Sequence, residues 1–218
     1  MGDSTFVPFD SPVGKVAALL YVHVPKNASC WVKYHLDQVG STPYNYYHQG
    51  FDSARHLVLV VLRDPVDRWV SAMGQILVAH KPSFHMHVDR IDWNEMTKTI
   101  YRNNHTQPQH EFFANIPHDR IVWFRCNDQL ENNFIKFLDS YNIQVRVMPA
   151  DNDVDNVFNF TNKVPERAFG LYNAPPQQIV VDKIQKVLDE NPEYVERLQQ
   201  LYQQDYQLLN TVPYYDPR

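Results

Sequence analysis

From His56 to Leu62 the chain reads His-Leu-Val-Leu-Val-Val-Leu, apolar at every position after the first. A strand sends alternate side chains to opposite faces, so a run with no polar alternate needs cover on both sides. A central strand of a parallel sheet, with helices over both faces, meets that need. The run is far short of the ~20 residues that cross a bilayer. It leads into Arg63-Asp64-Pro65, which predicts a helix with Asp64 as its N-cap and Pro65 at its first position.

The remaining pattern fits the same architecture. Residues 16–24 form a second strand candidate, stopped by Pro25, and residues 120–125 a third. A helix is expected over 29–39, where the apolar positions are only loosely periodic, and helical spacing covers 128–141 and a segment starting near Pro176. A last helix is expected from Pro192 onward, using Val195, Leu198, Tyr202, Tyr206 and Leu209. Shorter helices are expected at 93–101 and 109–114. Residues 40–55 and 149–176 read as irregular, 80–92 as a polar loop rich in His, Lys and Arg, and 1–14 as a surface tail or strap. Strands alternating with helices indicate an α/β fold with a mainly parallel sheet, in three layers. A length of 218 residues suits one domain over 1–218.

Composition narrows the function. A formal net charge of −5 is unsuited to nonspecific nucleic-acid binding, which needs a basic surface, although one local basic pocket stays compatible with it. The two cysteines, Cys30 and Cys126, make no disulfide framework. The start, Met1 to Thr5, is acidic and polar, with no apolar signal core. Sequons stand at Asn27, Asn104 and Asn159, and a glycan on Asn27 would obstruct the loop described next. A cytoplasmic protein with no membrane partner is therefore expected.

Two segments carry chemistry. The first is Tyr21-Val-His-Val-Pro-Lys-Asn-Ala-Ser-Cys-Trp31, which runs from strand through loop to helix. Ligands in parallel sheets bind beyond the carboxyl ends of strands. A new helix there offers backbone N–H groups and the positive end of its dipole to an anion. Lys26 adds a cation and Ser29 a hydroxyl. None of the six glycines lies between Gly14 and Gly40, so this is not the Gly-x-x-x-x-Gly-Lys-Ser/Thr loop of kinases. An ordinary turn with a surface lysine would use the same residues.

The second segment is Arg63-Asp-Pro-Val-Asp-Arg-Trp-Val-Ser71. Arg63 offers a planar fork of donors and Ser71, eight residues later, a hydroxyl. The alternative is that Arg63 pairs with Asp67 or a helix cap, while Ser71 faces a helix neighbour.

Taken together, Pro-Lys-x-x-Ser-x-Trp and Leu-Arg-Asp-Pro-x-x-Arg-x-x-Ser resemble the superfamily of sulfotransferases that use 3′-phosphoadenosine 5′-phosphosulfate (PAPS). The likeness is greatest to the carbohydrate, membrane-type branch. His105-Thr-Gln-Pro-Gln109 resembles a His-x-x-Pro-Gln element of that branch, and Tyr202-Gln-Gln-Asp-Tyr206 its Tyr-x-x-Asp-Tyr/Phe ending. Asn162-Lys163 is similar to a late segment that covers the nucleotide.

The resemblance implies that Lys26, Asn27, Ala28, Ser29, Cys30 and Trp31 hold the 5′-phosphosulfate, and that Arg63 and Ser71 hold the 3′-phosphate. It implies a P-loop-NTPase-like fold and an acceptor hydroxyl, on a glycan or another compound. PAP is the desulfated product and no metal is required. Cys30 departs from the pattern, standing where many relatives have Ser or Thr. Lys26 is expected to stabilise the leaving nucleotide. His48, in Tyr46-Tyr-His-Gln-Gly50, is the expected base, with His105 second, because an imidazole titrates near neutral pH. The rival functions are a kinase-like phosphoryl transferase and a non-catalytic PAP-binding protein.

Overall fold

A computed structural model describes residues 9–11, 14–16, 18–38, 42–44, 56–80, 88–99, 103–140 and 177–216. Its strands are β1 (Phe9–Ser11), β2 (Gly14–Val16), β3 (Ala18–Val22), β4 (Thr42–Tyr44), β5 (His56–Leu62) and β6 (Ile121–Arg125). Its α-helices are α1 (Ser29–Gln38), α2 (Pro65–His80), α3 (Trp93–Met96), α4 (Leu130–Ser140), α5 (Gln177–Glu190), α6 (Pro192–Leu201) and α7 (Gln203–Thr211). The protein is thus mixed α/β. It divides into two units, one of residues 1–63, 109–147 and 208–218, the other of 64–108 and 148–207.

The first unit holds a four-stranded sheet in the order β4-β3-β5-β6, parallel throughout. Strands β3 and β5 pair from Ala18↔His56 to Tyr21↔Leu59, so both end at one edge. On one face, Leu19, Tyr21, Leu57, Leu59, Val61 and Phe124 form a core with Val32 and Leu36 of α1 and Phe134, Phe137 and Leu138 of α4. The alternate residues Leu20, Val58, Val60, Leu62 and Trp123 are buried as well. Two-sided burial is what the unbroken apolar run of β5 requires. Tyr215 N–H donates to Trp123 O at 2.9 Å, and Tyr214 bridges Trp123, so the C-terminal segment lies along the outer edge of β6.

The described residues of the second unit are mainly helical. Val66, Trp69, Val70, Met73, Ile76 and Leu77 of α2 pack with Val180, Ile184 and Leu188 of α5 and with Leu198 and Tyr202. Asp64 caps α2, its Oδ1 accepting from Val66 N at 2.9 Å and Asp67 N at 3.1 Å, and Pro65 begins the helix. Asp92 caps α3 in the same way, through Glu95 N at 3.1 Å. No helix among the described residues is long and apolar enough to cross a membrane.

Four expectations change. The N-terminal strap contains a hairpin, β1 pairing antiparallel with β2 from Phe9↔Val16 to Ser11↔Gly14. The strand expected over 16–24 is divided between β2 and β3. In the segment read as loop, Thr42-Pro-Tyr44 is β4, paired with β3 from Leu20↔Thr42 to Val22↔Tyr44. Proline is tolerated there because an edge strand needs a ladder on one side alone. The long C-terminal helix breaks at Tyr202, whose φ is −105° and ψ 24°. Neither Gly nor Pro marks that break. Tyr202 is buried, with its hydroxyl donating to Thr106 O at 2.5 Å.

Candidate functional site

The loop between β3 and α1 has a backbone that its residue types do not favour. Lys26 has φ 70° and Ala28 has φ 54°. A side chain at positive φ crowds the backbone, so non-glycine residues seldom occupy this region, and such strain collects at functional sites. Asn27 N–H donates to Val24 O at 3.3 Å, closing a tight turn. Helix α1 then begins, its first bond running from Val32 N–H to Ala28 O at 3.0 Å. The N–H groups of Ser29, Cys30 and Trp31 precede that ladder. Ala28, the residue ahead of the helix, has no side-chain oxygen to cap them, unlike the residues usual at that position. Left-handed turns feeding a helix N-terminus make a concavity of backbone donors suited to an anion.

Asn27 does not face that concavity. It is fully buried, and its Nδ2 donates to Val61 O at 2.7 Å and to Gln109 Oε1 at 2.5 Å. Its side chain ties the loop to the sheet instead of offering a ligand contact, and the sequon is closed to a glycan in the folded chain. Ser29 is also buried. The ring of Trp31 packs against His35, with centroids 4.4 Å apart, and Phe134, at 5.4 Å, so among its groups the backbone N–H suits a ligand. The backbone of Cys30 lies in the first turn of α1, and its side chain is outside the described residues.

Arg63 follows the last residue of β5 and is half-buried. Its guanidinium NH1 donates to Lys26 O at 3.1 Å, so the two expected cations stand at the same sheet edge. Asp64 is the cap of α2, as its residue type predicts. The Arg63 backbone is held by the Gln109 side chain: Arg63 N–H donates to Gln109 Oε1 at 3.1 Å, and Gln109 Nε2 donates to Arg63 O at 2.8 Å. Gln109 is 1% exposed. The sequence singles out the His-x-x-Pro-Gln element without assigning this role, and a contact spanning 82 positions leaves no local pattern.

In the other unit, Ser71 lies in the second turn of α2, half-buried, with its carbonyl accepting from Gln177 Nε2 at 3.0 Å. Arg68, 1% exposed, is the second residue that sequence reasoning left without a task. Its NH1 donates to Gln107 O at 2.7 Å and so anchors the segment that carries His105. Asn103 Oδ1 accepts from His105 N–H and lies 2.9 Å from His105 Nδ1. An amide oxygen only accepts, so this contact suits the tautomer with its proton on Nδ1. The Tyr202–Tyr206 ending has structural work. Tyr202 grips Thr106 O, and Tyr206 O–H donates to Asp64 Oδ1 at 3.2 Å. Burial, and then the Asp64 carboxylate, push the Tyr206 phenol well above its ordinary pKa, so it stays a donor.

His48, Asn162 and Lys163 lie outside the described residues, as do residues 81–87 of the basic loop. No family model matches the chain, and neither a curated protein nor a solved structure matches it.

Proposed function

We propose that this chain is a sulfotransferase that moves a sulfuryl group from PAPS to an acceptor hydroxyl, on a carbohydrate. The observation that carries the reading is the left-handed backbone of Lys26 and Ala28 at the start of α1, beside an arginine that reaches the Lys26 carbonyl. The strained turn stands at the carboxyl edge of a parallel sheet, where the motif pair calls for a polyanion. The three-layer α/β/α arrangement of that superfamily and a cytoplasmic location are part of the same proposal.

In this mechanism the N–H groups of residues 28–31 hold the 5′-phosphate. Arg63 neutralises the 3′-phosphate, to which the resemblance also assigns the Ser71 hydroxyl. The acceptor oxygen attacks sulfur as its proton passes to a base, His48 or else His105. The bond from sulfur to the bridging oxygen breaks in line, and PAP leaves with the electron pair. Lys26 meets the negative charge that grows on that oxygen, and such electrostatic stabilisation is the main lever of group transfer between oxygens.

The test is calorimetric titration with PAP and with ATP, beside transfer of labelled sulfate from PAPS to a panel of glycans. Wild type should bind PAP and transfer sulfate. Arg63→Ala should lose ~2–4 kcal/mol of PAP affinity, because it removes a charge-assisted contact in a partly desolvated site. Binding of ATP but not PAP would reject the assignment in favour of a phosphoryl transferase. PAP binding without transfer to any acceptor would mark a non-catalytic binding protein.

A further inference from the structure

We propose that Gln109 is a positioning residue that holds the Lys26 loop and Arg63 in one fixed relation, so that both phosphate ends of a 3′,5′-bisphosphorylated nucleotide are gripped together. The inference rests on the PAPS reading above and adds a residue to it.

The hydrogen bonds close a ring. Lys26 O accepts from Arg63 NH1 at 3.1 Å. The Arg63 backbone exchanges two bonds with the Gln109 carboxamide, at 3.1 and 2.8 Å. Gln109 Oε1 also accepts from Asn27 Nδ2 at 2.5 Å, and Asn27 is joined covalently to Lys26. A second anchor runs from Asn27 Nδ2 to Val61 O at 2.7 Å, on the strand that leads to Arg63. Asn27 and Gln109 are both buried.

Residue type matters here. The pairing of β5 with β6 ends at Leu62↔Arg125, so Arg63 is the first residue past the ladder. Its N–H and C=O need partners once partly buried. A carboxamide offers a donor and an acceptor side by side and continues the ladder by one residue from a side chain. Glutamate keeps the length but loses the donor, and methionine keeps the shape but loses both groups. A cation whose backbone is fixed at both polar groups presents its guanidinium along a set direction. The same carboxamide, through Asn27, holds the turn in which Lys26 and Ala28 sit at positive φ. Loosening it therefore lowers the benefit of having both phosphates on one ligand more than it lowers binding of either alone.

The experiment compares PAP with 5′-AMP, which lacks the 3′-phosphate, on wild type, Gln109→Met, Gln109→Glu, Arg63→Ala and the Gln109→Met/Arg63→Ala double variant. Wild type should prefer PAP strongly. In Gln109→Met that preference should fall by about tenfold, in the range usual for coupled sites, while the variant still melts cooperatively. On the Arg63→Ala background the same substitution should change the preference little, since Gln109 acts through Arg63. A purely structural role would weaken both nucleotides alike and leave the ratio at the wild-type value, and that result overturns the inference. Should Gln109→Met not fold, the ratio is read on Gln109→Glu, where a fall of about threefold or more supports the inference and an unchanged ratio rejects it. Wild type that binds neither nucleotide, or shows no preference, would instead sink the PAPS reading itself.

Discussion

Asn27→Asp keeps the shape of the side chain and exchanges its amide for a carboxylate. In the native chain the buried Nδ2 donates to two oxygens, Val61 O at 2.7 Å and Gln109 Oε1 at 2.5 Å. An ionised carboxylate has no donor and would face both as an anion. The two lost hydrogen bonds cost ~1–3 kcal/mol together. The buried charge adds a penalty with a ceiling, because the carboxyl can take a proton instead. Protonating a group of unperturbed pKa ~3.9 at pH 7 costs ~4 kcal/mol, and the O–H formed restores one donor. A loss of ~3–5 kcal/mol at neutral pH is expected, a large share of the ~5–15 kcal/mol that holds a native protein together. The sign with pH follows from linkage. The introduced carboxyl has a folded-state pKa raised above ~3.9, so the penalty is full above the folded pKa. It shrinks as pH falls toward ~3.9, by at most ~1.4 kcal/mol per pH unit. Paired urea titrations of wild type and variant from about pH 4.5 to about pH 7.5 measure it. A penalty below ~1 kcal/mol, or one that stays constant over that range, would refute the donor role of Asn27.

Three further outcomes are expected. A Cβ on Gly74 would stand 2.5 Å from Val181 Cγ2 across the α2–α5 contact, so Gly74→Ala should lose ~1–3 kcal/mol to overpacking, less the ~1 kcal/mol gained in helix propensity. Adding Val181→Ala should recover most of the loss in urea unfolding, and purely additive effects would place the strain elsewhere. Burial lowers the pKa of His35 below 6.5, against a smaller opposite pull from Glu131. Its stability contribution is therefore complete above pH 6.5 and is lost as pH falls from there toward the folded-state pKa, where the unfolded chain binds the extra proton. His35→Phe should flatten that acid limb, and an unchanged limb would assign it to another group. His48→Ala should keep PAP affinity and lose ~100-fold or more in turnover, as a general base does. Full turnover would move the base to His105, in which case Asn103→Ala, freeing the His105 tautomer, should lower turnover in its turn.

Much of the local structure could be read directly from residue types. The apolar run at His56–Leu62 is β5 with those bounds, because two-sided burial permits no polar alternate there. Asp64 and Pro65 mark the start of α2, because a cap and a fixed φ act within one turn. The motif pair placed Lys26 and Arg63 at one sheet edge, and parallel pairing of β3 with β5 brings them to contact. Local preference failed at Thr42–Tyr44, where Pro43 argues against a strand and only the neighbouring β3 makes one. It failed again at Tyr202, where periodicity runs on and a hydroxyl contact to Thr106 accompanies the break.

The sequence by itself determined where β5 and α2 begin and which residue types could meet an anion, since each of these rests on interactions within a few positions. Tertiary structure alone decided how those residues are used. Positive φ at Lys26 and Ala28 contradicts their intrinsic preference, so only the surrounding contacts can impose it. Asn27 lies in the loop that the sequence marks for phosphate, yet its amide turns inward to Val61 and Gln109. Gln109 joins the two motifs from 82 and 46 positions away. Hydrogen bonds over such separations carry no periodic or local signature, and they exist only once the sheet has brought the strand ends together.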